Sequence, residues 1–350
     1  MEDGSVHRLV LISGVNGYIA AVTAKQFLDN GYSVRGTVRK LSSAQPLIEG
    51  PLKSHAQSGH FTVVEVPDIT VDGAFDEAVK GVTAIAHMAS PVSFNFTDPV
   101  PILHAAIHGT KTLLTSAYTH AGPTLKTIVL ISSIAAIRNQ TPAPYTFSET
   151  DWNDYAESEV QRLGTDTPGP VIYSASKTAS EKAFWEFRDT VHPSFTMTAI
   201  NPVFVIGPPL IAPATPAAVG ETVQSIWDVF RGAAPAASPV VLSSTVDVRD
   251  VARLMVYPVE HAQATDGERY IASSATQHPQ AIADILRKAM PEARGRIEEG
   301  TPGVGYREDW QADGKNGYAV DNRKAGRLLG GWIPFDESVV DTAKSFVGLV

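Results

Sequence analysis

The feature that most constrains this chain is an apolar run that ends in a glycine turn and continues as a helix. Leu9-Val10-Leu11-Ile12 has no polar position, as a strand covered on both faces requires. Ser13-Gly14-Val15-Asn16-Gly17-Tyr18-Ile19-Ala20 follows. Tyr18–Asp29 then shows helical spacing through Ile19, Val22, Gln26 and Phe27, and stops at Asn30-Gly31. The alternation continues. Tyr32–Val38, Phe61–Val66, Thr83–Ala89, Thr127–Ile131 and Phe195–Ile200 read as strands. Helices are expected from Asp98-Pro99 to about His120 and over Tyr173–Thr190. Strands apolar on both faces and separated by helices predict an α/β fold with a doubly wound parallel sheet.

The character changes after Asn201-Pro202. Gly207–Pro239 is rich in Pro and Ala, and reads as a mobile loop with one helix around Glu221–Arg231. Short helices and strands return at Val248–Val256, Arg269–Ala272, Gln280–Ala289 and Asn322–Leu329. The expectation is a sheet domain over residues 1–202 and a smaller, discontinuous lobe over 203–350, with returns to the sheet. The 350 residues, 43% apolar and 19% charged, suffice for such a core. Zero cysteine excludes disulfides, thiol nucleophiles and thiolate metal sites, and is compatible with a reducing compartment. A formal charge of −9 argues against a general nucleic-acid binder. No segment approaches the apolar length of a membrane helix, and Met1–Arg8 does not resemble a signal peptide. The chain is expected to be cytoplasmic, with no membrane partner.

The turn after the first strand carries the first chemical signal. Gly14-x-x-Gly17-x-x-Ala20 lets the backbone approach a pyrophosphate, and the helix N-terminus offers N–H groups and a positive dipole end. The alternative is a plain tight turn. The end of the second strand selects the cofactor. Thr37-Val38-Arg39-Lys40 has no acid there to accept from a ribose 2′-OH, whereas Arg39 and Lys40 can pair with a 2′-phosphate. This favours NADP(H) over NAD. Asp68-Ile69 is placed to meet the adenine edge, or serves as a loop cap.

The second signal is Tyr173-Ser174-Ala175-Ser176-Lys177. Its phenol and ammonium share a helix face at i and i+4. A neighbouring ammonium stabilises phenolate, which makes tyrosine a usable proton donor near neutral pH. Ser132-Ser133 follows an apolar strand, at the end where open α/β sheets bind ligands, and a serine hydroxyl there can orient a carbonyl.

With these residues the chain resembles the extended short-chain dehydrogenase/reductases. Within them it is similar to the NADPH-dependent aldehyde and ketone reductases of yeasts and fungi and to dihydroflavonol reductase-like proteins. The resemblance rests on Asn16–Ala20, Val34–Arg39, His87-Met88-Ala89-Ser90-Pro91, Val129–Ser133, Tyr173–Lys177, Asn201-Pro202, Gly207-Pro208 and Val246–Ala252, and spans nearly the whole chain. It implies a Rossmann-type sheet domain with a substrate-binding lobe. It makes Ser133, Tyr173 and Lys177 catalytic, with Tyr173 as general acid. Gly14, Asn16, Gly17, Tyr18 and Ile19 would line the pyrophosphate, and Arg39 with Lys40 would grip the 2′-phosphate, Ser43 being a further candidate. Asp68 and Ile69 would flank adenine, and Ala89-Ser90 the adjacent ribose. Pro202 and Val205 would pack by the nicotinamide, and Lys177 would also hold its ribose. The implied hydride is 4-pro-S. Thr112 departs from the Asn that many relatives carry in the stretch Gly109–Thr112.

Val92, Phe94, Ile134, Phe204 and Trp227, with Phe230, are the candidate apolar wall for a substrate. Trp227 and Phe230 read equally well as core. His104 and His108 sit at i and i+4 without a completing carboxylate, so no metal is expected. The function expected is an NADPH-dependent carbonyl reductase acting on a small molecule as a monomer or homodimer. The alternatives are a nucleotide-sugar epimerase or dehydratase of the same superfamily, and a non-catalytic NADP-sensing regulator.

Overall fold

In the computed structural model, residues 8–235, 244–313 and 317–350 are described. Twelve strands occur among them: β1 (Leu9–Ile12), β2 (Ser33–Val38), β3 (Phe61–Glu65), β4 (Ala84–His87), β5 (Thr127–Ile131), β6 (Tyr145–Phe147), β7 (Thr196–Pro202), β8 (Phe204–Ile206), β9 (Ser244–Asp247), β10 (Arg269–Ala272), β11 (Ala275–Thr276) and β12 (Tyr318–Val320). The chain divides into two compact units. One comprises 1–140, 150–201 and 252–270; the other comprises 141–149, 202–251 and 271–350. The chain thus makes an excursion to the second unit at 141–149, leaves the first at Pro202 and returns to it at 252–270.

The first unit is built on a seven-stranded sheet in the order β10-β7-β5-β4-β1-β2-β3. β1 pairs in parallel with β2 on one side and β4 on the other, and β2–β3, β4–β5 and β5–β7 are parallel too. This is the doubly wound arrangement expected of two-faced apolar strands. β5, TIVLI, is buried at all five positions. The chain builds β1, β2 and β3 outward, then returns across β1 to place β4. The strand order therefore reverses between β1 and β4, and open α/β sheets bind ligands beyond the carboxyl ends of strands at such a reversal.

The helix Tyr18–Asp29 has the bounds read from its spacing. In Pro99–His120, Asp98 caps the first turn by accepting from Val100 N. The helix Gly169–Val191 starts one turn before the expected Tyr173. These last two pack together, joined by a buried hydrogen bond between Thr110 and Ser180 hydroxyls, 2.8 Å. Leu11, Ile85, Leu113, Phe184 and Met197 belong to the core beneath them.

The second unit contains a three-stranded sheet, β11-β9-β8, and a parallel pair, β12-β6. The helix expected over Glu221–Arg231 begins as a 3-10 turn at Glu221–Val223 and becomes α-helical over Gln224–Phe230. Of the loop read as Gly207–Pro239, residues 236–239 lie outside the described residues, as do residues 1–7 of the segment tested for a signal peptide.

Candidate active site

The glycine turn is shaped by the closeness of the segment after β4. Gly14 sits at φ +69°, where glycine is unstrained, and a Cβ there would lie 3.1 Å from Ala89 Cα. The turn after β1 is thereby pressed against the segment after β4. Val15 N donates to Thr37 O, tying the turn to β2 as well. Gly17 is the N-cap of the first helix, no side chain caps it, and its first turn holds no acid. This bare, positive helix end fits a pyrophosphate. Asn16 and Gly17 are exposed there; Tyr18 and Ile19 are half-buried.

Ser13 joins the two strand ends. Its Oγ accepts from Met88 N at 2.8 Å and Ala89 N at 2.9 Å, and lies 2.8 Å from His87 Nδ1. Both lone pairs are used, so the single hydroxyl proton goes to His87 Nδ1, which leaves His87 protonated on Nε2. Burial, with the Lys177 ammonium as a smaller cause, pushes the His87 pKa down to about 3, so the ring is neutral.

Arg39 and Lys40 are exposed at the end of β2, and Arg39 makes no hydrogen bond or ion pair among the described residues. A free guanidinium at this place fits a 2′-phosphate. Ser43 donates its hydroxyl to Lys40 O at 2.7 Å. Asp68 is exposed and accepts from both Thr70 Oγ1 and Thr70 N, at 2.7 and 2.8 Å, which lowers its pKa. It thus closes its own loop, while Ile69 packs against Gly109. Ala89 and Ser90 are half-buried behind the phosphate turn.

The three catalytic candidates come from the end of β5 and from the helix Gly169–Val191. Ser132 and Ser133 point to different partners. Ser132 donates to the Glu181 carboxylate. Ser133 Oγ accepts from Ala135 N at 3.1 Å, as N-cap of the turn Ile134–Ala136, and lies 3.4 Å from the Tyr173 hydroxyl. A backbone N–H can only donate, so this bond leaves the Ser133 proton available to another acceptor. Lys177 is buried, and burial lowers its pKa to about 8 against the opposing pull of Glu181.

Phe94 packs edge-on against Tyr173, centroids 5.3 Å apart. The fit depends on Gly169, where a Cβ would lie 2.2 Å from Phe94 O. Ile134 is half-buried in the turn after Ser133, and Val92 is exposed.

The remaining residues expected from the sequence lie in the second unit. Pro202 ends β7, and Phe204 and Val205 lie on β8 opposite Thr245 and Val246. Trp227 is buried, with its ring edge-on to Phe346 at 5.4 Å, and Phe230 is fully buried nearby at 6.2 Å from the same ring. The rings of His104 and His108 stack at 4.2 Å on an exposed helix face. Among the described residues no helix is long and apolar enough to cross a membrane.

Sequence reasoning assigned no role to Ser13, Glu181 or Asn201. For Glu181 a signal existed: it continues the stripe of Tyr173 and Lys177 at i+8 on one helix face.

Comparison with known proteins gives a consistent picture. Residues 10–272 match the model of the NAD dependent epimerase/dehydratase family. A putative NADPH-dependent methylglyoxal reductase of Candida albicans is 32% identical over 348 residues, covering 97% of this chain and 98% of the relative. Aldehyde reductase 2 of Sporidiobolus salmonicolor is 36% identical over 66% of each chain. The crystal structure of yeast methylglyoxal/isovaleraldehyde reductase complexed with NADPH superposes with a TM-score of 0.82 at 28% identity, over 97% of this chain and 98% of that one. With its doubly wound sheet, its glycine turn and this breadth of similarity, the chain belongs to the NAD dependent epimerase/dehydratase family, as one of the extended short-chain dehydrogenase/reductases.

Proposed function

We propose that this chain is an NADPH-dependent carbonyl reductase that converts aldehydes or ketones to alcohols, with Tyr173 as the proton donor. Its relatives carry that activity in their names. One observation carries the catalytic assignment. The hydroxyls of Tyr173 and Ser133, forty residues apart, stand 3.4 Å from each other, with the Ser133 proton uncommitted.

NADPH, when bound, supplies the hydride to the carbonyl carbon. Gly14 and the bare end of the first helix would hold its pyrophosphate, and Arg39 with Lys40 its 2′-phosphate. Ser133 and Tyr173 both donate to one carbonyl oxygen and fix its position. Charge developing on that oxygen strengthens both bonds. Tyr173 then transfers its proton to the oxygen, which completes the alcohol and leaves a phenolate. The Lys177 ammonium, one helical turn away, stabilises that phenolate. Phe94, against the Tyr173 ring, supports a substrate with an apolar substituent. The free Arg39 favours this reading over an NAD-retaining epimerase. A cytoplasmic setting and a monomer or homodimer belong to the same reading.

Tyr173→Phe tests it. Turnover of an aldehyde and ketone panel should fall by at least about a hundredfold, the usual scale for losing a general acid. NADPH binding, followed by fluorescence titration, should be unchanged. Retained turnover would remove Tyr173 from the mechanism.

A further inference from the structure

The buried Glu181 belongs to no role assigned so far. It lies on the catalytic helix at i+4 from Lys177 and is fully buried. A carboxylate so placed must be compensated at both oxygens. One oxygen, Oε1, accepts from Arg269 Nε at 2.6 Å and from Trp185 Nε1 at 3.3 Å. The Arg269 guanidinium is itself held by Asp151 O at 2.7 Å and lies 3.9 Å over the Trp152 ring. The other oxygen, Oε2, faces the reaction centre. It accepts from Ser132 Oγ and from Asn201 Nδ2, the latter at 2.7 Å.

Asn201 Nδ2 donates a second time, to the carbonyl oxygen of Ser133 at 3.2 Å. A flipped amide would put its oxygen against two acceptors, so this orientation is fixed by chemistry. The carboxylate thus holds the residue before Ser133 by its side chain and Ser133 itself through Asn201. Asn153 braces the far side of the same turn: its Nδ2 donates to Ala135 O at 2.8 Å, and its backbone N–H donates to Ala136 O at 2.9 Å. The Ser133 turn is thus held from both sides.

Glu181 also acts along its own helix. The titratable groups facing the Lys177 ammonium are Glu181, neutral His87 on β4 and, one turn earlier, Tyr173. Of these, the Glu181 carboxylate favours the protonated lysine that burial disfavours.

We propose that Glu181 is a positioning residue for the reduction. Anchored by Arg269, it aims Ser133 through Ser132 and Asn201 and keeps Lys177 charged. The proposal rests on the catalytic reading above, which Tyr173→Phe tests separately. If Tyr173→Phe abolishes turnover while the variants below leave it intact, this inference alone fails.

Two sets of variants decide it. Ser132→Ala keeps the Glu181–Arg269 pair and removes one of the two links to the serine turn. Its kcat should fall about tenfold, with the KM for NADPH unchanged and Ser132→Thr restoring the rate; a misplaced catalytic group costs up to about a hundredfold. A parental kcat in Ser132→Ala would overturn the positioning role. Glu181→Gln, assayed in the presence of NADPH, should move the alkaline limb of the kcat profile down by about one pH unit, as loss of a close opposite charge does. An alkaline limb at the parental pH would overturn the electrostatic role. Should the carboxamide fail to fold because Arg269 is left unpaired, the Ser132 pair decides the proposal.

Discussion

At the scale of single residues, the site carries an energetic cost that its chemistry explains. The Lys177 pKa is lowered by burial to about 8, from an ordinary 10.5. The unfolded chain therefore holds that proton more tightly than the folded one. The cost is fully present below about pH 8 and fades as pH rises towards the unfolded value. Removing the ammonium should stabilise the cofactor-free protein while abolishing turnover. Lys177→Met is expected to be more stable at pH 7 by up to about 3 kcal/mol, at 1.36 kcal/mol per pKa unit. The advantage should shrink in urea unfolding repeated at pH 9.5. An advantage independent of pH would mean that it comes from packing. Neutral His87 answers a different demand: beside a buried ammonium it serves Ser13 as a hydrogen-bond acceptor without adding a second charge.

At the scale of elements, β2 and the phosphate turn are fitted at one point. Gly36 on β2 faces Val15, and a Cβ there would lie 2.4 Å from Val15 Cγ1 and 2.7 Å from its Cβ. Val15 is fully buried, and no rotation about χ1 moves its Cβ out of the way. Gly36→Ala should therefore displace the turn and destabilise the protein by about 1–3 kcal/mol, the usual cost of overpacking. The KM for NADPH should rise more than kcat falls, because the displaced residues belong to the turn proposed to hold the pyrophosphate and not to the hydroxyl pair. Equal losses in both would contradict this. The elements that the sequence does not reveal share a physical cause. Asp154–Leu163 has only a thin apolar stripe, Ala156, Val160 and Leu163, of which Ala156 alone is buried. β6, β8 and β12 are three residues long, too short for a period of two to be seen.

At the scale of the molecule, cofactor preference is a binding free energy that appears as stability. A ligand that binds only the native state at a hundred times its Kd adds about 2.7 kcal/mol. NADPH should raise the melting temperature several degrees more than NADH at equal concentration. Arg39→Ala should bring the two shifts together, because that exposed guanidinium makes no hydrogen bond or ion pair among the described residues. Equal shifts in the parent would assign the 2′-phosphate no specific contact. Arg39 and Lys40 are legible in the sequence because they stand at the end of the second strand, where an NAD-binding chain would carry an acid.

Periodicity and local spacing by themselves determined the alternating strands, the bounds of Tyr18–Asp29, the glycine turn and the Tyr173/Lys177 stripe. Each of these depends on residues within a few positions of one another. The partner of Ser132, the tautomer of His87 and the surroundings of the buried Glu181 carboxylate were decided by tertiary structure alone. Each depends on which distant donors and acceptors meet in a space without water. Asn201 reaches Ser133 from 68 residues away, and Arg269 reaches Glu181 from 88. A buried charge must find its partners wherever the fold brings them, and no local pattern in the chain records that meeting.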